Sequence, residues 1–488
     1  MRMTANTSTH PGLAALQSQA RRDLQYLNYP PADWVPLTSG PDGAPALDVL
    51  IVGAGMCGQT AAYALLREGV RKLRVIDRAP AGREGPWGTF ARMPTLRSPK
   101  QLTGPDLGVP SLTFRAWYEA QHGAAGWEAL YKIDRLDWLA YLLWVRAVLA
   151  LPVENDTELL SLASQDGLFR AQLRQGGQVQ TVYARKVVLA LGRDGSGAPR
   201  WPRFPGFDPA APQARGRVFH SADEIDFSSF KGKRLAVLGA GASAFDNAGT
   251  ALEAGAGAVV QYVRRPVLPQ VNKPKWASFA GFQHGFVALD DAARWQFLTA
   301  MFAPQVPPPH ESVMRCDRHP NFTLRLGMPW RDLRPDDAGV TVVTAQGEER
   351  FDAVVVATGF DVDLLERAEL AAFSREVLTW RERVGAQAAA AFPEEARFPY
   401  LGAGFEMLER TPGAQPALTH LHVFNWGATM RHGALAGDIP GLGTGATRLA
   451  RGIARALFVL DRAQHLAAMQ AFDEHELQST PYDVPGLV

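Results

Sequence analysis

The chain has 488 residues, which is too long for one hydrophobic core and indicates roughly two to four domains. Its apolar content of 47% and charged content of 20% are typical of a globular protein, and its formal net charge of +1 argues against a nucleic-acid partner. The two cysteines, Cys57 and Cys316, exclude a disulfide framework and give no support for a metal site.

Residues 1–44 are predicted to form an N-terminal extension without the pattern of a signal peptide. No run of 18 apolar residues occurs along the chain, so no membrane partner is expected. These features favour a cytoplasmic protein, and they leave a homo-oligomer open.

The first chemical motif is a strand, a glycine turn and a helix beginning at Asp48. Gly53 permits the tight turn, Gly55 lets the backbone approach a pyrophosphate, and Gly58 lets the helix pack closely on the strand. The next strand ends at Asp77, where a carboxylate receives ribose hydroxyls. The pattern predicts an FAD site, although a chance glycine turn in another α/β protein is the alternative.

A second strand and glycine turn repeat this pattern at Gly239, Gly241 and Ser243. The strand after it ends in Arg264 and Arg265 instead of an acid. Guanidinium groups pair with a 2′-phosphate that a carboxylate would repel, so NADPH is favoured over NADH. A solvated strand end is the other explanation for the two arginines.

Two such units predict an α/β fold with two Rossmann-type dinucleotide-binding domains, the NADPH domain inserted into the FAD domain. We assign 45–213 to the first part of the FAD domain and 214–351 to the NADPH domain, with an irregular cover at 266–335. We assign residues 352–488 to the return segment of the FAD domain, with Thr358 and Gly359 near the start of that segment.

Further blocks resemble class B flavin-dependent monooxygenases. They are Glu84–Thr89, Met93–Leu102, Asp352–Phe360 and Phe424–Gly433. These blocks are similar to those of the ornithine and lysine N-hydroxylases and, in the glycine turns, to the flavin-containing and Baeyer–Villiger monooxygenases. The chain also resembles, more weakly, bacterial flavoprotein urate hydroxylases. A linker motif of the flavin-containing group survives only at Gly216–His220, so the blocks assign no subfamily.

The resemblance implies a single-component enzyme in which NADPH reduces FAD and a flavin C4a-(hydro)peroxide passes one oxygen atom from O2 to a small molecule. It places Lys100 and Trp87 beside the flavin, and Asn425 and His432 in the segment that returns to the flavin ring. Lys100, Asn425 and His432 are the candidate catalytic residues. A solvated lysine, a core tryptophan and a structural histidine are the alternatives.

A predicted helix over Ala446–Leu457, opened by Gly443 and Thr444, would point its positive N-terminus at the flavin pyrimidine. The substrate expected for such an enzyme is an amine or a heteroaromatic compound such as urate, and ketones and sulfides also fit. An NADPH-dependent flavin oxidoreductase without oxygen transfer, or a non-catalytic nucleotide-dependent redox sensor, would share both glycine turns.

Overall fold

The structure, a computed structural model, describes residues 11–102 and 104–477. Its strands are β1 (Leu47–Val52), β2 (Leu73–Ile76), β3 (Val153–Glu154), β4 (Thr157–Gln165), β5 (Leu168–Gln175), β6 (Gln178–Leu189), β7 (Val218–His220), β8 (Arg234–Leu238), β9 (Ala258–Tyr262), β10 (Phe322–Arg325), β11 (Asp332–Asp336), β12 (Gly339–Thr344), β13 (Gly347–Phe351), β14 (Ala353–Val356) and β15 (Leu421–Val423).

Its α-helices are α1 (Pro11–Tyr26), α2 (Met56–Arg67), α3 (Phe114–Ala129), α4 (Arg135–Val148), α5 (Ala242–Glu253), α6 (Ala280–Gly285), α7 (Asp291–Phe302), α8 (His310–Asp317), α9 (Trp380–Val384), α10 (Ala386–Ala391), α11 (Thr429–His432), α12 (Leu442–Leu460) and α13 (Arg462–Gln470). None of the helices in the described part of the chain combines the length and hydropathy needed to span a bilayer.

The first sheet carries the FAD-type turn and has the strand order β3-β2-β1-β6-β5-β4. Its central strand β1 is an almost continuous buried apolar run with parallel partners on both sides, as expected for a strand covered on both faces. Strand β15, from near the end of the chain, pairs in parallel with β6. The chain therefore returns to the first sheet after building the second, as the inserted-domain prediction requires.

The second sheet is parallel throughout and has the order β10-β9-β8-β14-β7. The predicted α/β fold with two Rossmann-type units is confirmed. One predicted boundary is wrong, because β14 lies in the second sheet and the return segment starts after Val356 rather than at residue 352. All four β14 residues are buried, which suits a strand hydrogen-bonded on both sides.

The predicted irregular cover at 266–335 is also shorter than expected. Helix α8 packs on α5, and β10 extends the second sheet beside β9, so both belong to the nucleotide unit. Strand β11 joins β12 and β13 in a separate antiparallel sheet. The true cover is 266–309, and its helix α7 lies close to the prediction, with Asp290 as its N-cap.

The cover has its own apolar core, which it shares with the return segment. Trp295 of α7 stacks on Trp380 of α9, with ring centroids 5.9 Å apart. Phe282, Phe286 and Met430 belong to the same buried cluster. The cover is therefore packed onto the return segment and lies over the space between the two sheets.

Candidate active site

The two glycine turns face one large cleft of about 2290 Å³. Gly53 and Gly55 line it from the first unit, and Gly239 and Gly241 line it from the second. A site for one small molecule is typically about 300–1,000 Å³, so this cleft has room for more than one ligand. The structure thus brings both predicted nucleotide turns together.

The first turn is built as its glycines predict. Gly53 has φ of +100°, and a Cβ at Gly58 would lie 1.8 Å from the Gly53 carbonyl oxygen. Helix α2 begins right after Gly55, which supplies no side-chain cap for its first amides. Free amides at a helix N-terminus bind phosphate, so this turn fits the pyrophosphate of FAD.

Asp77 is fixed against the same turn. One carboxylate oxygen accepts a hydrogen bond from the Ala54 amide at 2.7 Å, and the other accepts from the Ala79 amide at 2.8 Å. Burial raises the pKa of this carboxyl, and the two amide hydrogen bonds oppose that rise. Asp77 lines the cleft beside Gly53, the position from which a carboxylate reaches a ribose.

The second turn has the same uncapped construction. A Cβ at Gly239 would lie 2.5 Å from the Ala357 carbonyl oxygen, whereas a Cβ at Gly241 would meet no atom within 4 Å. Gly241 precedes α5 and supplies no side-chain cap. Its open side allows a ligand to approach the backbone, and Ser243 lines the cleft next to it.

Arg264 and Arg265 follow β9 and line the same cleft. No hydrogen bond or ion pair of either guanidinium is seen within the described residues. Both arginines therefore remain available for an anionic ligand, and their role in NADPH binding stays a prediction.

The two units are joined across the cleft by Arg92. Its guanidinium donates to the carbonyl oxygens of Ser221 at 3.1 Å and Asp223 at 2.6 Å. Burial lowers the pKa of this guanidinium. The sequence analysis did not single out Arg92, because its partners lie in the other unit.

Trp87 and Lys100 both line the cleft, as the resemblance implied. The Lys100 ammonium is, however, already held by the carbonyl oxygens of Trp127 at 2.5 Å and Glu128 at 3.2 Å. It also lies 4.9 Å from the Trp127 ring centroid. These contacts draw the charge toward the end of α3.

Arg97, which no sequence pattern singled out, is a second cation of this loop that lines the cleft. It lies in the same block as Lys100 and donates to the Pro307 carbonyl oxygen of the cover at 2.8 Å. Burial lowers the pKa of Arg97, while nearby Asp438 raises it. Both cations lie in one loop of the sequence and both line the cleft, but Lys100 is held by carbonyl groups at the end of α3 and Arg97 by a carbonyl group of the cover.

Asn425 holds the backbone rather than facing the cleft. Its amide nitrogen donates to the Leu189 carbonyl oxygen at 3.0 Å. Its amide oxygen accepts from the Ser196 hydroxyl at 2.6 Å and from the Gly427 amide at 2.8 Å. Asn425 is thus a positioning residue that sets the turn carrying Trp426, which does line the cleft. The predicted catalytic role of Asn425 is not supported.

His432 is fully buried and does not line the cleft among the described residues. Its Nε2 lies 3.0 Å from the Gly402 carbonyl oxygen. Burial, followed by the charges of Arg448 and Arg431, lowers its pKa well below the usual value of histidine. A histidine so enclosed has no direct contact with the cleft, so these contacts do not support the predicted acid–base role.

The predicted approach of α12 to the flavin needs correction as well. The helix starts at Leu442, and Gly443 and Thr444 line a separate cavity of about 600 Å³. The residues just before the helix, 437–440, line the main cleft instead. A 3-10 turn at Ile439–Gly441 separates these cleft-lining residues from the start of α12.

Thr358 and Gly359 both line the cleft where the chain leaves the second sheet. The Thr358 hydroxyl donates to the Arg200 carbonyl oxygen, and the Arg200 amide donates to the Gly359 carbonyl oxygen at 2.9 Å. Gly359 has φ of +85°, a conformation that favours glycine. This turn ties the linker to the start of the return segment.

A family model described as pyridine nucleotide-disulphide oxidoreductase matches residues 50–277, which include both glycine turns. The FAD-dependent urate hydroxylase of Xanthomonas campestris is 43% identical over 466 residues, covering 95% of this chain and 97% of that protein.

Solved structures with the same fold include the reduced ornithine hydroxylase of Pseudomonas aeruginosa, with 17% identity and a TM-score of 0.64 over 86% of this chain and 100% of that one. The L-lysine 6-monooxygenase of Pseudomonas syringae has 17% identity and a TM-score of 0.59, covering 84% of this chain and 99% of that one.

Proposed function

This chain belongs to the flavoprotein monooxygenase family that includes the FAD-dependent urate hydroxylase of Xanthomonas campestris, and on that basis we propose that it hydroxylates urate with NADPH and molecular oxygen. The observation that carries the proposal is an identity of 43% spread over 95% of the chain, from the first glycine turn through the return segment. The predicted enzyme class, an FAD-dependent monooxygenase, is confirmed by the family.

FAD is held at the first turn. The free amides of α2 receive its pyrophosphate, Gly55 allows that close approach, and Asp77 receives its ribose. When bound and reduced, the flavin supplies the oxygen-activating chemistry, and the protein contributes position and shielding from water. The cover provides the shielding, because 266–309 packs onto the return segment above the cleft.

The second turn of the same cleft would hold NADPH, so both nucleotide sites open into one space. The free amides of α5 receive its pyrophosphate, and Gly241 leaves open space for it. Arg264 and Arg265 stand at the end of β9, where a 2′-phosphate needs positive charge. These contacts support NADPH in preference to NADH.

The reaction consumes one urate, one NADPH, one proton and one O2, and it yields hydroxylated urate, NADP⁺ and water. Purified yellow protein is therefore mixed with NADPH in air, with and without urate, while NADPH, urate, O2 and hydrogen peroxide are all measured. We expect urate to accelerate NADPH oxidation and to disappear in equal amount, with little peroxide formed. NADPH oxidation that releases stoichiometric peroxide and leaves urate intact would overturn the proposal.

A further inference from the structure

One end of the main cleft is aromatic and lies beneath the cover. Trp426 of the return segment and Phe302 of α7 are half-buried neighbours there, with ring centroids 5.9 Å apart. Phe282 and Met301 line the same cleft from the cover. Flat aromatic and sulfur-bearing side chains make favourable contacts with a planar ring system.

Charged side chains of both signs lie beside this aromatic surface. Arg193 lies over the Trp426 ring, with its guanidinium carbon 4.2 Å from the ring centroid. Arg97 and Asp438 line the cleft nearby and interact electrostatically with each other. This part of the cleft therefore offers donors of hydrogen bonds, an acceptor and ring surfaces together.

Asp438 is the informative member of the group. Its carboxylate has no hydrogen bond or ion pair to any described residue, although burial raises its pKa and Arg193 and Arg97 lower it. Asp438 stands near the first turn, because the thiol of Cys57 lies 3.5 Å from the carbonyl oxygen of Ala436. A partly buried carboxylate that lines the cleft without a protein partner is suited to accept hydrogen bonds from a ligand.

We propose that Arg97 and Asp438 bind the polar edge of the purine while Trp426 and Phe302 contact its ring face. This inference rests on the proposed function and extends it to the residues that select the substrate. Urate is a planar anion whose rim carries carbonyl oxygens and ring N–H groups. Arg97 donates to a carbonyl oxygen and balances the negative charge, and Asp438 accepts from a ring N–H.

The geometry also explains why two residues of the sequence-derived set are positioning residues. Asn425 fixes the turn on which Trp426 stands, through its bonds to Leu189, Ser196 and Gly427. The Lys100 ammonium is tied to carbonyl oxygens at the end of α3, although Lys100 lines the cleft together with Arg97. The substrate end is thus formed by the loop of Arg97, the cover and the return segment.

The test uses the full-length holoenzyme with Asp438→Asn and Arg97→Lys. Asp438→Asn keeps the shape and removes the charge, and Arg97→Lys keeps the charge and removes the planar fork. Matched controls are Asp208→Asn and Arg203→Lys, two exposed linker residues that do not line the cleft. For each protein we measure FAD content, NADPH oxidation without urate, and the KM for urate.

Loss of a charge-assisted hydrogen bond should raise the KM for urate about tenfold or more in each cleft variant, whereas the two control variants should keep the wild-type KM. Singly N-methylated urates give a second readout. One of these compounds should bind the wild type as weakly as urate binds Asp438→Asn, because methylation removes the N–H group from which Asp438 accepts a hydrogen bond. In Asp438→Asn, methylation at the same nitrogen should cause no further loss of affinity.

Each outcome decides between the explanations. Cleft variants that lose FAD or slow its reduction without urate would assign Asp438 and Arg97 to cofactor binding and overturn the inference. Normal urate kinetics in both variants would overturn it too, while the proposed function stands. A wild-type enzyme that neither binds nor consumes urate would overturn the proposed function and the inference with it.

Discussion

The imidazole of His432 stacks on the phenyl ring of Phe405, with ring centroids 3.7 Å apart and planes inclined by 16°. Phe405 has φ of +69°, so its own backbone is held in a conformation that few non-glycine residues adopt. Phe405 belongs to the buried core of the first unit, and neither ring of the pair lines the cleft among the described residues.

Because of this stacking, a substitution of His432 can distinguish a structural role of the residue from a catalytic one. We expect His432→Gln to lower the free energy of unfolding by about 1 kcal/mol through lost aromatic contact, and to leave the pH dependence of kcat unchanged. Urea titration and a pH–rate profile measure the two quantities. Loss of one limb of the profile with normal stability would restore His432 as a proton-transfer group.

The two glycine turns predict opposite outcomes for the same small substitution. Gly58→Ala places a Cβ 1.8 Å from the Gly53 carbonyl oxygen, so the turn must deform and the purified protein should contain little FAD. Gly241→Ala meets no protein atom within 4 Å, so folding and FAD content should be normal. If NADPH approaches that backbone, the KM for NADPH rises about tenfold from crowding.

The flavin-to-protein absorbance ratio and steady-state kinetics distinguish these effects. A Gly58→Ala protein with full FAD content would show that the turn relaxes at little cost. A Gly241→Ala protein with wild-type KM for NADPH would remove the second turn from cofactor binding.

Arg264 and Arg265 are the residues that we propose set the preference for NADPH. Replacing either one with alanine should raise the KM for NADPH by roughly one to two orders of magnitude, since each charge-assisted contact contributes about 1.5–3 kcal/mol. The KM for NADH should change little, because NADH has no 2′-phosphate. Parallel kinetics with both nucleotides test this, and an equal loss for both would contradict the assignment.

Stability should fall in mild acid because of buried histidines near β15. Burial, and then the charge of Lys186, lowers the pKa of His422 to about 3 and that of His420 to about 4. The unfolded chain binds protons near pH 6.5 and the folded chain does not, so the free energy of unfolding declines as pH falls from about 6.5 toward 4.

His422→Asn keeps a side-chain amide near the Gly404 carbonyl oxygen, which His422 Nδ1 approaches at 2.8 Å, and it cannot titrate. We expect a smaller difference between the urea midpoints at pH 7 and pH 5 in this variant than in the wild type. The exposed His475→Asn serves as the control. Equal pH dependence in wild type and His422→Asn would exclude His422 as the cause.

The glycine turns could be identified from the sequence because their chemistry is local. Gly53, Gly55 and Gly58 lie within one turn. Glycine is needed there because of close contacts within that turn and with the adjacent strand. The same holds for Gly239 and Gly241. The apolar runs before the two glycine turns predicted the two Rossmann-type units for a similar reason, since such runs depend on neighbouring residues.

The substrate end of the cleft was decided only by the tertiary structure. Arg97, Phe302, Trp426 and Asp438 come from a loop, the cover and the return segment, and no local pattern relates them. Whether a cation such as Lys100 or Arg97 faces the cleft depends on which carbonyl groups the packed chain presents to it. Burial likewise made His432 a core residue, because the environment of a side chain is set by distant segments that fold around it.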